Sequence, residues 1–231
     1  MSSPPQRPSV TAEEELAAAI GADRALMLRQ VPGDIRPAIE ALFQIDAAMG
    51  DVVARSTQPI LGAAKLAWWR ERLEDLDTRP PPAEPRLQAA AEHLLPRGIS
   101  GSELAEIEHG WVTLLEEEVD AERIAQRGTL IFRIAARLLG GDDEKAGDAG
   151  ALYALVSVGR RGVPQLLEDA NGPAKRLAHH RFARRLRPLT ALARLAAGDL
   201  KSGAPFEVEG SPQRLAAMMR HRWSGIVTRG D

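Results

Sequence analysis

Apolar residues recur along this chain at three- and four-residue intervals, and no stretch keeps the two-residue alternation of a half-buried strand. Thr11 in an N-cap position, with Glu14 three residues on, predicts a first helix to Arg29, which Val31-Pro-Gly-Asp34 ends. From Ile35, residues Ile39, Leu42, Phe43, Met49 and Val53 share one side and predict a helix to about Arg55. Pro59 opens the next, with Leu66, Trp69, Leu73 and Leu76 as its inward stripe. The proline-rich run from Arg79 to Pro85 is an exposed connection. Further helices are predicted over 86–95, 101–121, 122–139, 145–169, 174–199 and 212–223. The breaks between them come from Pro96, Gly98, the glycines at 140 and 141, Gly172 with Pro173, and the segment 202–212. The expected fold class is all-α, a single-domain bundle of about eight or nine helices.

Composition agrees, since alanine, leucine, arginine and glutamate dominate while aromatics make up 4% of the chain. A formal charge of −2 argues against a dedicated nucleic-acid binder, whose domain is normally strongly basic. With no cysteine, a disulfide framework, thiolate metal ligands and a cysteine nucleophile are excluded. Residues 1–10 lack an apolar signal region and read as a disordered tail before a helical domain over 11–231. No run of about 20 uncharged apolar residues occurs, so the expected location is cytoplasmic, with any membrane contact peripheral, at an inner face.

Two segments carry a resemblance. Leu61-Gly-Ala-Ala-Lys-Leu-Ala-Trp-Trp-Arg-Glu-Arg-Leu73 resembles a signature helix of the squalene/phytoene synthase family, matching it at Gly62, Leu66, Trp68, Trp69 and Arg70. Arg127-Gly128-Thr-Leu-Ile-Phe132 is similar to the family's arginine-glycine-x-x-leucine-phenylalanine helix, and weaker echoes run over 23–46 and 185–200. The resemblance implies an isoprenoid-synthase-like bundle. It also implies isoprenoid (terpenoid) biosynthesis, with two prenyl diphosphates joined head to head around magnesium ions held by two Asp-x-x-x-Asp motifs. An i, i+4 spacing puts both carboxylates of such a motif on one helix face.

The motif positions carry no acids. The first motif falls on Gly50 and Ala54, with Asp51 turned about 100° aside. The second, after Leu155-Val-Ser-Val-Gly-Arg160, falls on Arg161 and Gln165. The expectation is therefore a divergent, catalytically inactive protein with no cofactor and no metal site. It would act by binding a protein partner or a prenyl or lipid ligand, nearest to the family's non-synthase branch, which resembles the mitochondrial assembly factor for respiratory complex I. The alternative is an active prenyl-diphosphate transferase with rearranged ligands and magnesium as cofactor.

Asp46 lies midway around the apolar arc of its helix, so it is expected to be buried and paired with a basic side chain, facing a remnant pocket with Gly50, Asp51, Ala54, Arg160, Arg161 and Gln165. Trp69 belongs to the core. Trp68 shares a face with Arg72 and Asp75 and reads as a contact surface. Gly128 is expected to permit close helix packing. The acid pairs Glu71/Asp75 and Glu144/Asp148 read as ion-paired helix faces, the histidines at 179 and 180 as a surface pair, and Gly98 to Ser102 as a turn with an N-cap. Lys175 to Arg194 carries seven basic residues and no acid. With Leu186, Leu189, Leu192 and Leu195 beside Arg184, Arg185 and Arg187, it is a candidate for contact with an anionic membrane. Glu103 to Glu122, with eight acids, is a possible internal counterpart.

Overall fold

A computed structural model describes residues 12–229. The expected disordered tail and the Thr11 cap lie outside the described residues. The helical segments are α1 (Ala12–Ile20), α2 (Ala22–Leu28), α3 (Arg36–Arg55), α4 (Pro59–Asp75), α5 (Pro85–His93), α6 (Gly101–Ala105), α7 (His109–Val112), α8 (Ala121–Leu138), α9 (Lys145–Gly159), α10 (Leu166–Asp169), α11 (Asn171–Arg176), α12 (Arg187–Ser202) and α13 (Pro212–Ser224). The chain is all-α, with two isolated β-bridges near its C-terminal end among the described residues.

Four predicted helices are divided, which raises the count above eight or nine. Gly21, at φ 94°, separates α1 from α2. The predicted 101–121 helix becomes α6 and α7 with short 3-10 turns, and Glu116 leaves in an extended conformation. Thr113, fully buried, accepts the backbone N–H of Asp120 at 2.8 Å and closes this connection onto α8. Gly162, at φ 125°, and Pro164 end α9 well before position 169. Past α11 the backbone turns through His179 at φ 61° and pairs with the C-terminal residues, Ala178 with Thr228 and Arg181 with Ile226, before Pro188 restarts the helix.

One apolar core runs from Ile20 to Val227. α3 lies at its centre, with Ile39, Leu42, Phe43, Ile45 and Met49 fully buried, and packs against α4, α5 and α8. α8 and α9 approach through glycines. A Cβ on Gly128 would lie 2.1 Å from the Gly150 carbonyl oxygen, and a Cβ on Gly150 would lie 2.0 Å from that of Gly128. The close packing expected of Gly128 is thus a two-sided glycine contact. α12 lies between α9, α2 and α13. Leu186, Leu189, Leu192 and Leu195 are all buried, so the leucines of the basic stretch belong to the core and none is left for a membrane.

Caps follow the sequence where side chains could supply them. Ser100 accepts from the Glu103 N–H at 3.0 Å, as the turn at Gly98 predicts. Asp120 caps α8, and Ser211 caps α13. The Asp77 carboxylate accepts the N–H groups of Gly101 and Ser102 at 2.6 and 2.9 Å and the Ser102 hydroxyl at 2.6 Å, tying α4 to α6.

Candidate functional site

Asp46 projects from the third turn of α3 into the core and is fully buried. Arg24, from α2, donates from Nη2 to Oδ2 at 2.6 Å; Trp111, from α7, donates from Nε1 to Oδ1 at 2.9 Å. Arg127, from α8, brings Nε to 3.7 Å of Oδ1 and stacks its guanidinium 3.6 Å from the Trp111 ring centroid. Burial alone pushes the Asp46 carboxyl up, but Arg24, Arg127 and the indole N–H together hold it below the ordinary carboxylate value. Burial draws Arg127 down to about 10, with Asp46 opposing and Arg24 adding to the fall. Nε and Nη1 of Arg127 make no hydrogen bond among the described residues. The expected burial and arginine pairing of Asp46 are therefore both present.

Trp111 occupies the space beside α3 where a side chain at position 50 would stand. A Cβ on Gly50 would meet Trp111 Cη2 at 2.8 Å and Cζ2 at 2.9 Å. The sequence singles out the paired tryptophans at 68 and 69 but gives no signal for Trp111, which lies in the acidic stretch.

Arg24 carries the network outward by donating from Nε to the Tyr153 hydroxyl at 2.8 Å. Tyr153 borders a polar cleft of about 120 Å³ between α2, α9, α12 and the segment before α13, lined also by Asp23, Arg160, Arg161, Asp199, Glu209 and Arg214. Its centre is Arg214, buried on the inner face of α13. Arg214 bonds Asp23 at 2.7 Å and Asp199 at 2.7 Å, while Asp199 also takes Arg160 at 2.6 Å. The N–H of Gly210 donates to Asp23 at 3.0 Å, and Arg160 donates to the Glu207 carbonyl at 2.6 Å. Three acids and three arginines face one another here, so the cleft is nearly charge-balanced and its carboxylates are already engaged.

The remnant pocket expected from sequence does not form as one site. Asp46 and Gly50 meet Trp111 inside the core. Asp51 is exposed and paired with Arg55 at 3.4 Å, because one residue of helix rotation turns it off the buried face. Ala54 is exposed as well. Arg160 and Arg161 reach the polar cleft, whereas Gln165 lies exposed past the Gly162 break, which carries it away from α9. Asp199 and Arg214, central to the cleft, were missed in sequence. The signal available for Arg214 is that it shares a helix face with Met218 and His221, both buried.

The candidate contact residues also divide. Trp68 is 42% exposed and stands edge-on to the buried Trp69, with 5.4 Å between ring centroids. Arg187 is not available for contact, since it donates to the carbonyls of Phe182, Arg222 and Trp223 at 3.0 Å each. Arg185 donates to the Gly140 carbonyl, and Arg184 is exposed. The acidic stretch does not pair with the basic one among the described residues: Glu103 pairs with Arg137 and Glu116 with Arg123. The remaining acid pairs are engaged in part as expected of helix faces: Asp75 pairs with Arg72 and Arg79, Glu71 lies 3.7 Å from Arg72, and Asp148 pairs with Lys145 and Arg176, while Glu144 makes no ion pair among the described residues. His180 bonds Asp143 at 3.0 Å, while His179 points to solvent.

A second, more apolar groove of about 610 Å³ runs between α1, α2 and α3, lined by Leu16, Ala17, Ala22, Ala25, Leu26 and Leu28 together with the charged Glu14, Arg29, Arg36 and Glu40. No helix among the described residues is long and apolar enough to cross a membrane. Family models, curated proteins and solved structures were compared with the chain, and none matches.

Proposed function

We propose that this chain is a divergent protein of the squalene/phytoene synthase type that retains a helical scaffold and works by binding, in the manner of a respiratory-complex assembly factor, without transferring a prenyl group. The observation that carries the reading is the Trp111 indole packed against Gly50. The position of one expected metal-binding carboxylate is a glycine, and the space before it is filled by a ring. Magnesium prefers carboxylates with free lone pairs beside phosphate oxygens. Gly50, Ala54, Arg161 and Gln165 supply no carboxylate, and Asp46, Asp23 and Asp199 are each bonded to arginine, so these residues do not fit the metal.

The test is incubation with farnesyl and geranylgeranyl diphosphates and magnesium. Diphosphate release is expected to stay at the background of protein-free controls; release that a chelator abolishes would restore the prenyl-transferase alternative. A second reading, retention of a prenyl or lipid chain, is favoured by the apolar groove between α1, α2 and α3, whose size is that of small-molecule pockets. Farnesol raising the melting temperature of the native chain but not of Ala25→Glu would move the binding function to that groove.

A further inference from the structure

The basic residues near the C-terminal end find few acids. From Asn171 to Gly198, and again from Gly210 to Gly230, the sequence contains neither aspartate nor glutamate. The fold lays these two acid-free stretches side by side. Phe182 donates its N–H to the Gly225 carbonyl at 2.9 Å, Arg181 bridges to Ile226, and Arg187 holds the last carbonyls of α13. Arg194, on α12, lies within electrostatic reach of Arg220 and Arg229, which add to burial in disfavouring its charge. Among the described residues, Arg181, Arg184, Arg220, Arg222 and Arg229 make no ion pair.

Within this field α13 presents an apolar stripe that the core does not use. Its inner face buries Arg214, Met218 and His221. On its outer face Leu215, Met219 and Trp223 are 41%, 44% and 80% exposed. At a spacing of four residues they cover an arc of about 80°, with Arg222 just outside one edge and Arg220 beyond the other. The backbone at Trp223 is fixed, because its carbonyl accepts from Arg187 at 3.0 Å. The other exposed apolar patch, Ile60, Leu61 and Trp68 on α4, lies on a helix that carries Glu71, Glu74 and Asp75 among its basic residues and has no comparable field.

We propose that the outer face of α13, with the arginines of the connection before α12 and Arg229, docks this protein onto an anionic phospholipid surface. Met219 and Trp223 enter the headgroup region, and the flanking arginines reach the lipid phosphates while their stems lie along the apolar boundary. An interfacial tryptophan suits that position, since its ring is apolar and its N–H remains hydrated. Arg222 and Arg220 stand on opposite sides of the stripe instead of converging on one point. That distribution matches a continuous sheet of negative charge better than the few fixed carboxylates of an acidic protein. The apolar part of the contact therefore comes from α13, and the leucines of α12 stay in the core.

The experiment uses the full chain with vesicles of phosphatidylcholine alone and of equal parts phosphatidylcholine and phosphatidylglycerol, in a flotation assay at low and high salt. Binding is expected to be about ten-fold stronger on the anionic vesicles and to fall as salt screens the charges. It should also shift tryptophan emission to shorter wavelength. Met219→Ser/Trp223→Ser and, separately, Arg220→Glu/Arg222→Glu should each lose about ten-fold in anionic-vesicle binding. Ile60→Ser/Trp68→Ser should bind like the unaltered chain. The altered side chains all reach the surface, so each variant should keep its far-ultraviolet dichroism, and the two α13 variants their melting temperature. Equal binding to neutral vesicles, no binding, or insensitivity to both α13 variants would overturn the proposal. So would polyglutamate binding as tightly as the vesicles, or a concentration-dependent dimer that Met219→Ser/Trp223→Ser dissolves. The proposal stands apart from catalytic silence, which the diphosphate assay tests by itself.

Discussion

Asp46 sits on α3 among fully buried apolar neighbours, where a lone carboxylate would be costly. It is tolerated because two arginines and an indole N–H converge on its oxygens, leaving a compact charged cluster within an otherwise apolar core. Removing one member of a buried pair strands the others as unpaired charges, which typically costs about 3–5 kcal/mol. Asp46→Ala should therefore lose stability on that scale in urea denaturation and leave Arg24 and Arg127 uncompensated. An unchanged midpoint would mean that water already reaches these groups. The need for a partner was legible in sequence from the position of Asp46 on its helix. Which partners would arrive was not, because Arg24 and Trp111 lie 22 and 65 residues away.

Among the elements, the contact between α8 and α9 depends most on residue size. Gly128 and Gly150 face each other, and any side chain on either would enter the partner's backbone, which cannot yield as a flexible side chain can. Gly128→Ala should cost about 1–3 kcal/mol or more, and Ala154→Gly, which clears only a methyl group 2.6 Å from that position, should not restore it. Full rescue by Ala154→Gly would show that the backbone contact is looser than these distances indicate. The divided helices follow from the same dependence on partners. One helix is expected over 145–169, yet Gly162 and Pro164, the poorest helix formers within it, end α9 and turn Gln165 out to solvent.

For the whole molecule, stability should depend on pH through groups that the fold keeps in one protonation state. His221 is buried on α13 between Thr190, whose Oγ1 lies 2.8 Å from Nε2, and the Ile226 carbonyl, 3.2 Å from Nδ1. The Thr190 hydroxyl also lies 3.1 Å from the Leu186 carbonyl and has one proton to give, so the neutral ring with Nδ1 donating to the Ile226 carbonyl requires that proton to go to Nε2 instead of Leu186. Burial, joined by Arg194 and Arg187, lowers its pKa from 6.5 to about 4. The unfolded chain binds a proton below 6.5 that the folded chain refuses until about 4, so stability is full above 6.5 and falls by about 3 kcal/mol across that window. Asp46, also held below its ordinary value, contributes stability above about 3.8 and loses it at still lower pH, so the two windows are separate. Urea midpoints measured from pH 7 to 4 should fall in the native chain and fall less in His221→Gln; parallel slopes would remove His221 as the cause.

The amino-acid sequence by itself determined the class of this protein. Helical spacing of its apolar residues, the scarcity of β-branched and aromatic side chains, and prolines and glycines at the ends set most of the long helices and the inward faces of α3 and α4. Those are local properties, readable within one or two turns. The placement of Asp46 and the tight approach at Gly128 were legible for the same reason, since each shows as an anomaly within its own helix. Only the tertiary structure decided what meets those anomalies. It set Trp111 against Gly50, gathered Asp23, Asp199, Arg160 and Arg214 from four separate segments, put the leucines of α12 in the core, and left Leu215, Met219 and Trp223 outside. Hydrophobic periodicity says which side of a helix seeks cover. Which helix provides that cover depends on how loops with left-handed glycines, such as Gly21 and Gly162, redirect the chain, and on long-range pairs whose members carry no mark of one another in the sequence.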